Sequence, residues 1–144
     1  MRHISFLIGS VAGFLLPLVS VGAETSPFKI IVNAANPVGE MDRMEIADFY
    51  LNKSTHWPNG IEVLPVICTD PGAFQKEFLE SVLGMDSSRF KTYWAKLIFA
   101  GRGLPPREME DANGVVQFVK ANPGAIAFVS DATNVEAVKV LEAR

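Results

Sequence analysis

The 144-residue chain holds one cysteine, two histidines and no run of basic side chains. A single thiol, Cys68, excludes an intramolecular disulfide, so the fold must rest on its apolar core. His56 is the only histidine beyond residue 3, and no acidic pair stands at metal-ligand spacing, which argues against a zinc site and leaves no metal and no cofactor to expect. With 13 Lys plus Arg against 16 Asp plus Glu, net −3, there is no footprint for a phosphate backbone, and nucleic acid is not an expected partner. Repeats and low-complexity segments are also lacking. What is present is a globular composition, 49% hydrophobic and 20% charged, enough for one compact domain and too apolar for a disordered tail.

Long apolar runs are absent except for one. Met1-Arg2-His3, the apolar residues 4–21 and then Gly22-Ala23 have the layout of a secretory signal, with Val21 at −3 and Ala23 at −1 of the cleavage site. The competing reading is an uncleaved anchor, because the run approaches the ~20 residues of a spanning helix, but Gly9, Gly13, Pro17 and Ser20 weaken it as a permanent span. The expected organisation is a signal peptide over residues 1–23 and one domain over residues 24–144. Cleavage leaves 12 basic against 16 acidic side chains, net −4. The domain would begin at Glu24 rather than at a cysteine, so a free periplasmic protein without a lipid anchor is expected.

Within that domain, Phe28-Lys29-Ile30-Ile31-Val32 reads as a strand closed by Asn33-Ala34-Ala35-Asn36-Pro37. Asp42 and Glu45 have capping-box spacing, and Ile46, Phe49 and Tyr50 follow at helical spacing. Asn59-Gly60 signals a turn before a strand over residues 61–67, where Pro65 favours a sheet edge. Phe74, Phe78 and Val82 form a helical face ending at Gly84, and Phe90, Tyr93, Trp94 and Leu97 form a second. Residues 100–106 read as a loop. Asp111 caps a further helix through Val115, Val116 and Val119, residues 125–129 read as a strand buried on both faces, and residues 138–141 as a last short strand. Strands and helices alternate, so the class is α/β.

The order of residues carries a resemblance. Residues 41–53 with Trp57-Pro58 and the following strand look like the segment of phosphate-binding substrate receptors of ABC transporters in which a capped helix, a Trp and a strand lead to a ligand loop. Asn122-Pro123-Gly124-Ala125-Ile126-Ala127-Phe128-Val129 looks like that family's later Pro-Gly-Ala-Ile-Gly-Tyr-Val strand. The resemblance implies a single lobe of the periplasmic-binding-protein type II-like fold, a mixed sheet flanked by helices. It further implies non-catalytic binding of phosphate or a related oxyanion, in service of a membrane permease or sensor. Such receptors close two lobes over the ligand, and residues 24–144 suffice for about one. Two copies facing each other as a homodimer would supply the missing wall. A second departure is the ligand loop, where Pro71-Gly72-Ala73 replaces the family's Ser-Gly-Thr and Asp70 adds a negative charge.

The candidate ligand contacts are Thr69, Gly72, Ala73, Arg102 and Asn33. Gly72 and Ala73 open a helix whose backbone N–H groups could cradle an anion beside Thr69, or Asp70 could simply cap that helix. Arg102 between two glycines could bring a guanidinium onto an oxyanion, or be a solvated turn. Asn33 and Asn36 follow the first strand, and ligands of open α/β sheets collect beyond strand carboxyl ends. They could equally hold the loop. Arg107, after Pro105-Pro106, and Ser130, after a later strand, share this ambiguity. Cys68 and His56 offer a thiol and a base without an orienting acid, so no catalytic residue is expected. Without the standard loop, the alternative function is a ligand-free interaction or sensing module.

Overall fold

A computed structural model describes residues 13, 15–18, 26–70 and 72–144; the expected cleavage site lies outside the described residues. The elements run β1 (Phe28–Val32), β2 (Glu40–Met41), α1 (Arg43–Tyr50), β3 (Leu64–Cys68), α2 (Ala73–Phe78), α3 (Ser87–Phe99), β4 (Arg107–Met109), α4 (Ala112–Ala121), β5 (Ala125–Ser130) and β6 (Lys139–Ala143). A π-helical turn, Leu79–Leu83, continues α2 and stops at Gly84, whose φ of 67° is the left-handed conformation that glycine tolerates.

The six strands form one mixed sheet in the order β2-β6-β1-β5-β3-β4. β3 pairs in parallel with β4 and β5, and β2 in parallel with β6, while β1 is antiparallel to both β5 and β6. Five strands therefore share one direction and β1 alone is reversed. Pro65 lies within β3 without breaking it, because the β4 register starts only at Val66↔Arg107. On that side Pro65 is locally at an edge, where a missing N–H costs nothing.

Phe128 of β5 faces α2 and stacks on Phe78 at a centroid distance of 3.9 Å, with Tyr50 of α1 5.0 Å from Phe78. Burying a side chain such as Phe78 contributes ~1.5–3 kcal/mol. The Tyr50 hydroxyl donates to Val66 O at 3.0 Å, which satisfies the one polar atom of this aromatic cluster. The alternate residues of β5, Ala127 and Val129, are equally buried and face the other side, where α4 packs. The sheet is thus covered on both faces, as the wholly apolar run of β5 requires.

Gly124 explains the Pro-Gly-Ala motif physically. A Cβ there would lie 1.9 Å from the backbone oxygen of Glu62. Its carbonyl accepts from both Trp57 Nε1, at 3.0 Å, and Leu64 N, at 2.9 Å. Only glycine lets the segments that start β3 and β5 approach this closely.

Candidate functional site

Because five strands run the same way, their carboxyl ends and the starts of the helices that follow them gather at one end of the sheet. Here lie Asp42 before α1, Thr69 after β3, Gly72 before α2, Asp111 before α4 and Ser130 at the end of β5. Thr69 ties β3 to β4: its N–H donates to Met109 O at 2.9 Å, and its hydroxyl makes a longer contact, 3.4 Å, with the same oxygen.

The helix starts at this end differ. Asp42 accepts from Met44 N and Glu45 reaches back to Asp42 N, completing the capping box of α1. Asp111 accepts from Asn113 N and Gly114 N of α4. α2 instead begins at Gly72, which supplies no side-chain acceptor, so the sequence expectation that Asp70 serves as its N-cap is not met. A Cβ at residue 72 would fall 2.9 Å from the Phe74 ring, which folds back over the glycine and is buried. Packing of Phe74 therefore selects glycine here and leaves the helix start bare.

Acid lies near the end of β3. Burial pushes the Cys68 thiol up; the Asp70 backbone N–H pulls it down, and the Asp70 and Asp111 carboxylates push it up again. Both carboxylates are thus close enough to the end of β3 to be felt there. Cys68 itself is buried and behaves as a small apolar side chain. His56 bridges to Glu62 ahead of β3, at the opposite end of that strand, so thiol and imidazole are not brought together.

Of the five candidate contacts, the structure brings Thr69, Gly72 and Ala73 together and leaves Asn33 and Arg102 at the other end of β3. Asn33 follows β1, the reversed strand, so its carboxyl end meets the amino ends of the rest. Its side-chain amide donates to Val119 O and Lys120 O at 2.9 and 3.0 Å, and its oxygen accepts from Ala35 N. That side chain is wholly engaged in closing α4 and the loop. Asn36 likewise accepts from Val38 N. Arg102 is exposed in a loop made by Gly101 and Gly103, with φ of 66° and 100°, and its carbonyl accepts from Asn52 Nδ2.

A cleft of about 670 Å³ opens at this second end, between the start of β3 and the Gly103–Arg107 stretch, with Asn52, Thr55, Glu62 and Arg107 in its wall. Arg107 sits over the Phe118 ring at 5.0 Å, so its guanidinium is partly spent on that face. Nothing in sequence periodicity signalled β4 or this cleft, since three residues of mixed character carry no readable alternation. No cluster of metal-ligating side chains occurs among the described residues. No helix among them is long and apolar enough to cross a membrane.

No family model matches the chain, and no match among curated protein sequences reaches significance. Solved structures do match. One, named as a phosphate ABC transporter substrate-binding protein with bound phosphate from Clostridium perfringens, aligns with a TM-score of 0.63 at 16% identity over 81% of this chain and 44% of that one. An ABC-type phosphate transport receptor from Vibrio cholerae gives 0.59 at 18% identity over 81% and 46%. A structure from Planctomyces limnophilus, named as a phosphate binding protein, gives 0.61 at 14% identity over 82% and 41%. The chain spans less than half the length of these proteins, and over that span it has the mixed α/β fold of phosphate ABC transporter substrate-binding proteins.

Proposed function

We propose that the chain is an exported, non-catalytic solute-binding protein of one lobe that captures phosphate, or a related small oxyanion, at the start of α2 beside Thr69. One observation carries this reading: α1, α3 and α4 each begin with an aspartate accepting from their first N–H groups, whereas α2 begins at Gly72 without one. Donors that no side chain caps, at the positive end of a helix, are the elementary apparatus for holding an oxyanion. The solved structures of the same fold are named for phosphate, which supports that choice of anion.

The mechanism is binding without chemistry. Backbone N–H groups from residue 73 onward donate to the anion, and the Thr69 hydroxyl turns from its long contact with Met109 O to join them. Asp70 repels a bare anion but accepts a hydrogen bond from one that still carries a proton. Phosphate retains a proton near neutral pH and sulfate does not, so the carboxylate that weakens binding also sets selectivity. The second wall comes from a facing copy or from the membrane partner.

Calorimetric titration with phosphate and with sulfate at low ionic strength tests this. Saturable heat with phosphate alone is expected. Thr69→Val weakens it, and Asp70→Asn admits sulfate. Arg102→Ala, at the far end of β3, leaves it unchanged. Absence of heat with phosphate overturns the proposal in favour of a ligand-free interaction or sensing module, the reading that the Asp70 and Asp111 charges favour.

A further inference from the structure

Charge is unevenly spread along the chain. Residues 87–107 contain five basic side chains, Arg89, Lys91, Lys96, Arg102 and Arg107, and no acidic one, while the rest of the chain holds 16 acidic against eight basic. This stretch is α3 and the loop after it. On α3, Phe90, Tyr93, Trp94 and Leu97 turn inward, and at 100° per residue Phe99 falls at the middle of the opposite face. Arg89 and Lys96 then flank it on one side and Lys91 on the other. Phe99 is 98% exposed and Leu104, in the following loop, 87%. Two apolar side chains thus stand fully out of the surface among four exposed cations, in a chain that is otherwise acidic.

We propose that α3 and the 101–104 loop form a docking surface for an anionic phospholipid bilayer. The chemistry fits an interfacial helix: Phe99 and Leu104 enter the boundary between headgroups and acyl chains, and the long Lys and Arg stems let their charges stay among the headgroup phosphates. Charge complementarity selects the occupant. A second copy paired through the same face would set like charges against each other, which excludes a symmetric α3 dimer. The protruding side chains need no matching pocket in a fluid bilayer, and cations next to an anionic leaflet are each attracted to it. The 101–104 end of the patch lies near the start of β3, whereas the start of α3 shares a cavity with Gly72 through Asp86 and Ser87. The two functions are separated by their variants, because none of the patch substitutions touches Thr69 or Gly72.

The test is flotation of the purified full chain with vesicles of phosphatidylcholine alone and of phosphatidylcholine mixed equally with phosphatidylglycerol. Residues 4–21 are apolar enough to enter either bilayer, so the reading is the difference between lipids and between variants. The wild type is expected to bind the anionic vesicles more strongly, with the difference abolished by salt. Arg89→Gln with Lys96→Gln reduces that difference by about fivefold per cation removed. Phe99→Ser with Leu104→Ser lowers binding to the anionic vesicles while leaving the melting temperature unchanged, because neither side chain is packed. Equal flotation with both lipids, or wild-type behaviour of both double variants, overturns the proposal and leaves an acidic protein face as the occupant of matching chemistry.

Discussion

α3 and α4 are both capped by an aspartate and both carry a lysine in the last turn, yet they are attached to the molecule by different means. α4 buries Val115, Val116 and Val119 against the sheet. α3 is three residues longer and buries only Trp94. Beyond the half-buried Phe90, Tyr93 and Leu97, it is held by two aromatic hydrogen bonds to the end of α1, Tyr93 OH to Leu51 O at 2.6 Å and Trp94 Nε1 to Tyr50 O at 3.1 Å. An apolar stripe at helical spacing establishes a helix, but it does not establish how deeply the stripe will be buried: Phe90, Tyr93 and Leu97 of α3 are half-buried, whereas the valines of α4 are fully so. One helix is a structural part of the core, and the other is an attachment hung from it.

That contrast is open to attack by substitution. Trp94→Ala should cost ~3–5 kcal/mol and detach α3, seen as a lower melting temperature and as loss of hydrogen-exchange protection across residues 87–99. Trp94→Phe keeps most of the volume but leaves Tyr50 O without its donor, for a loss of about 1–3 kcal/mol. Equal melting temperatures for wild type and Trp94→Phe would show that packing alone holds α3. The two caps sharpen the comparison further. Asp111→Ala should lower global stability by ~1 kcal/mol, whereas Asp86→Ala should weaken exchange protection mainly within α3, because only α4 is bound into the sheet.

A smaller effect comes from pH. Burial pushes Tyr50 well above its ordinary value of 10.0 and Cys68 above 9.0. The folded chain then keeps protons that the unfolded chain releases, so this stability is present below those values and declines as pH rises past them. The melting temperature should be flat through neutrality and fall in alkali, and Tyr50→Phe should flatten the upper part of that fall. Both groups belong to the core side of the comparison, so substitutions on α3 should leave the profile alone. The smallest change is expected from Phe99→Ser, within about 0.5 kcal/mol, as for any side chain with nothing to lose.

The sequence made the starts of α1 and α4 legible because capping is local: Asp42 and Asp111 each act within three residues of themselves. The buried strand β5 was legible because five consecutive apolar residues admit few other fates. Strand direction was not. Nothing around Phe28–Val32 records that β1 is reversed, and that single fact places Asn33 at the end of the sheet opposite Thr69 and Gly72. The place of Arg102 was illegible for a related reason, since its two glycines describe a loop without saying which end of β3 the loop reaches. The uncapped start of α2 was not legible because the deciding residue is Phe74, whose ring lies where a Cβ at residue 72 would fall.

The reversal of β1 also bears on the order of folding. Among the described residues, residues 28–32 take their strand partners from residues 126–130 and 139–141, so the first strand is completed by the last two. Contacts this far apart in sequence close slowly, because a long loop must be ordered before any pairing rewards it. A growing chain cannot assemble the middle of this sheet until residues 126–141 have been synthesised. Until then both edges of β1 stay unpaired, so its apolar residues must be kept from pairing with other chains while they wait for their partners.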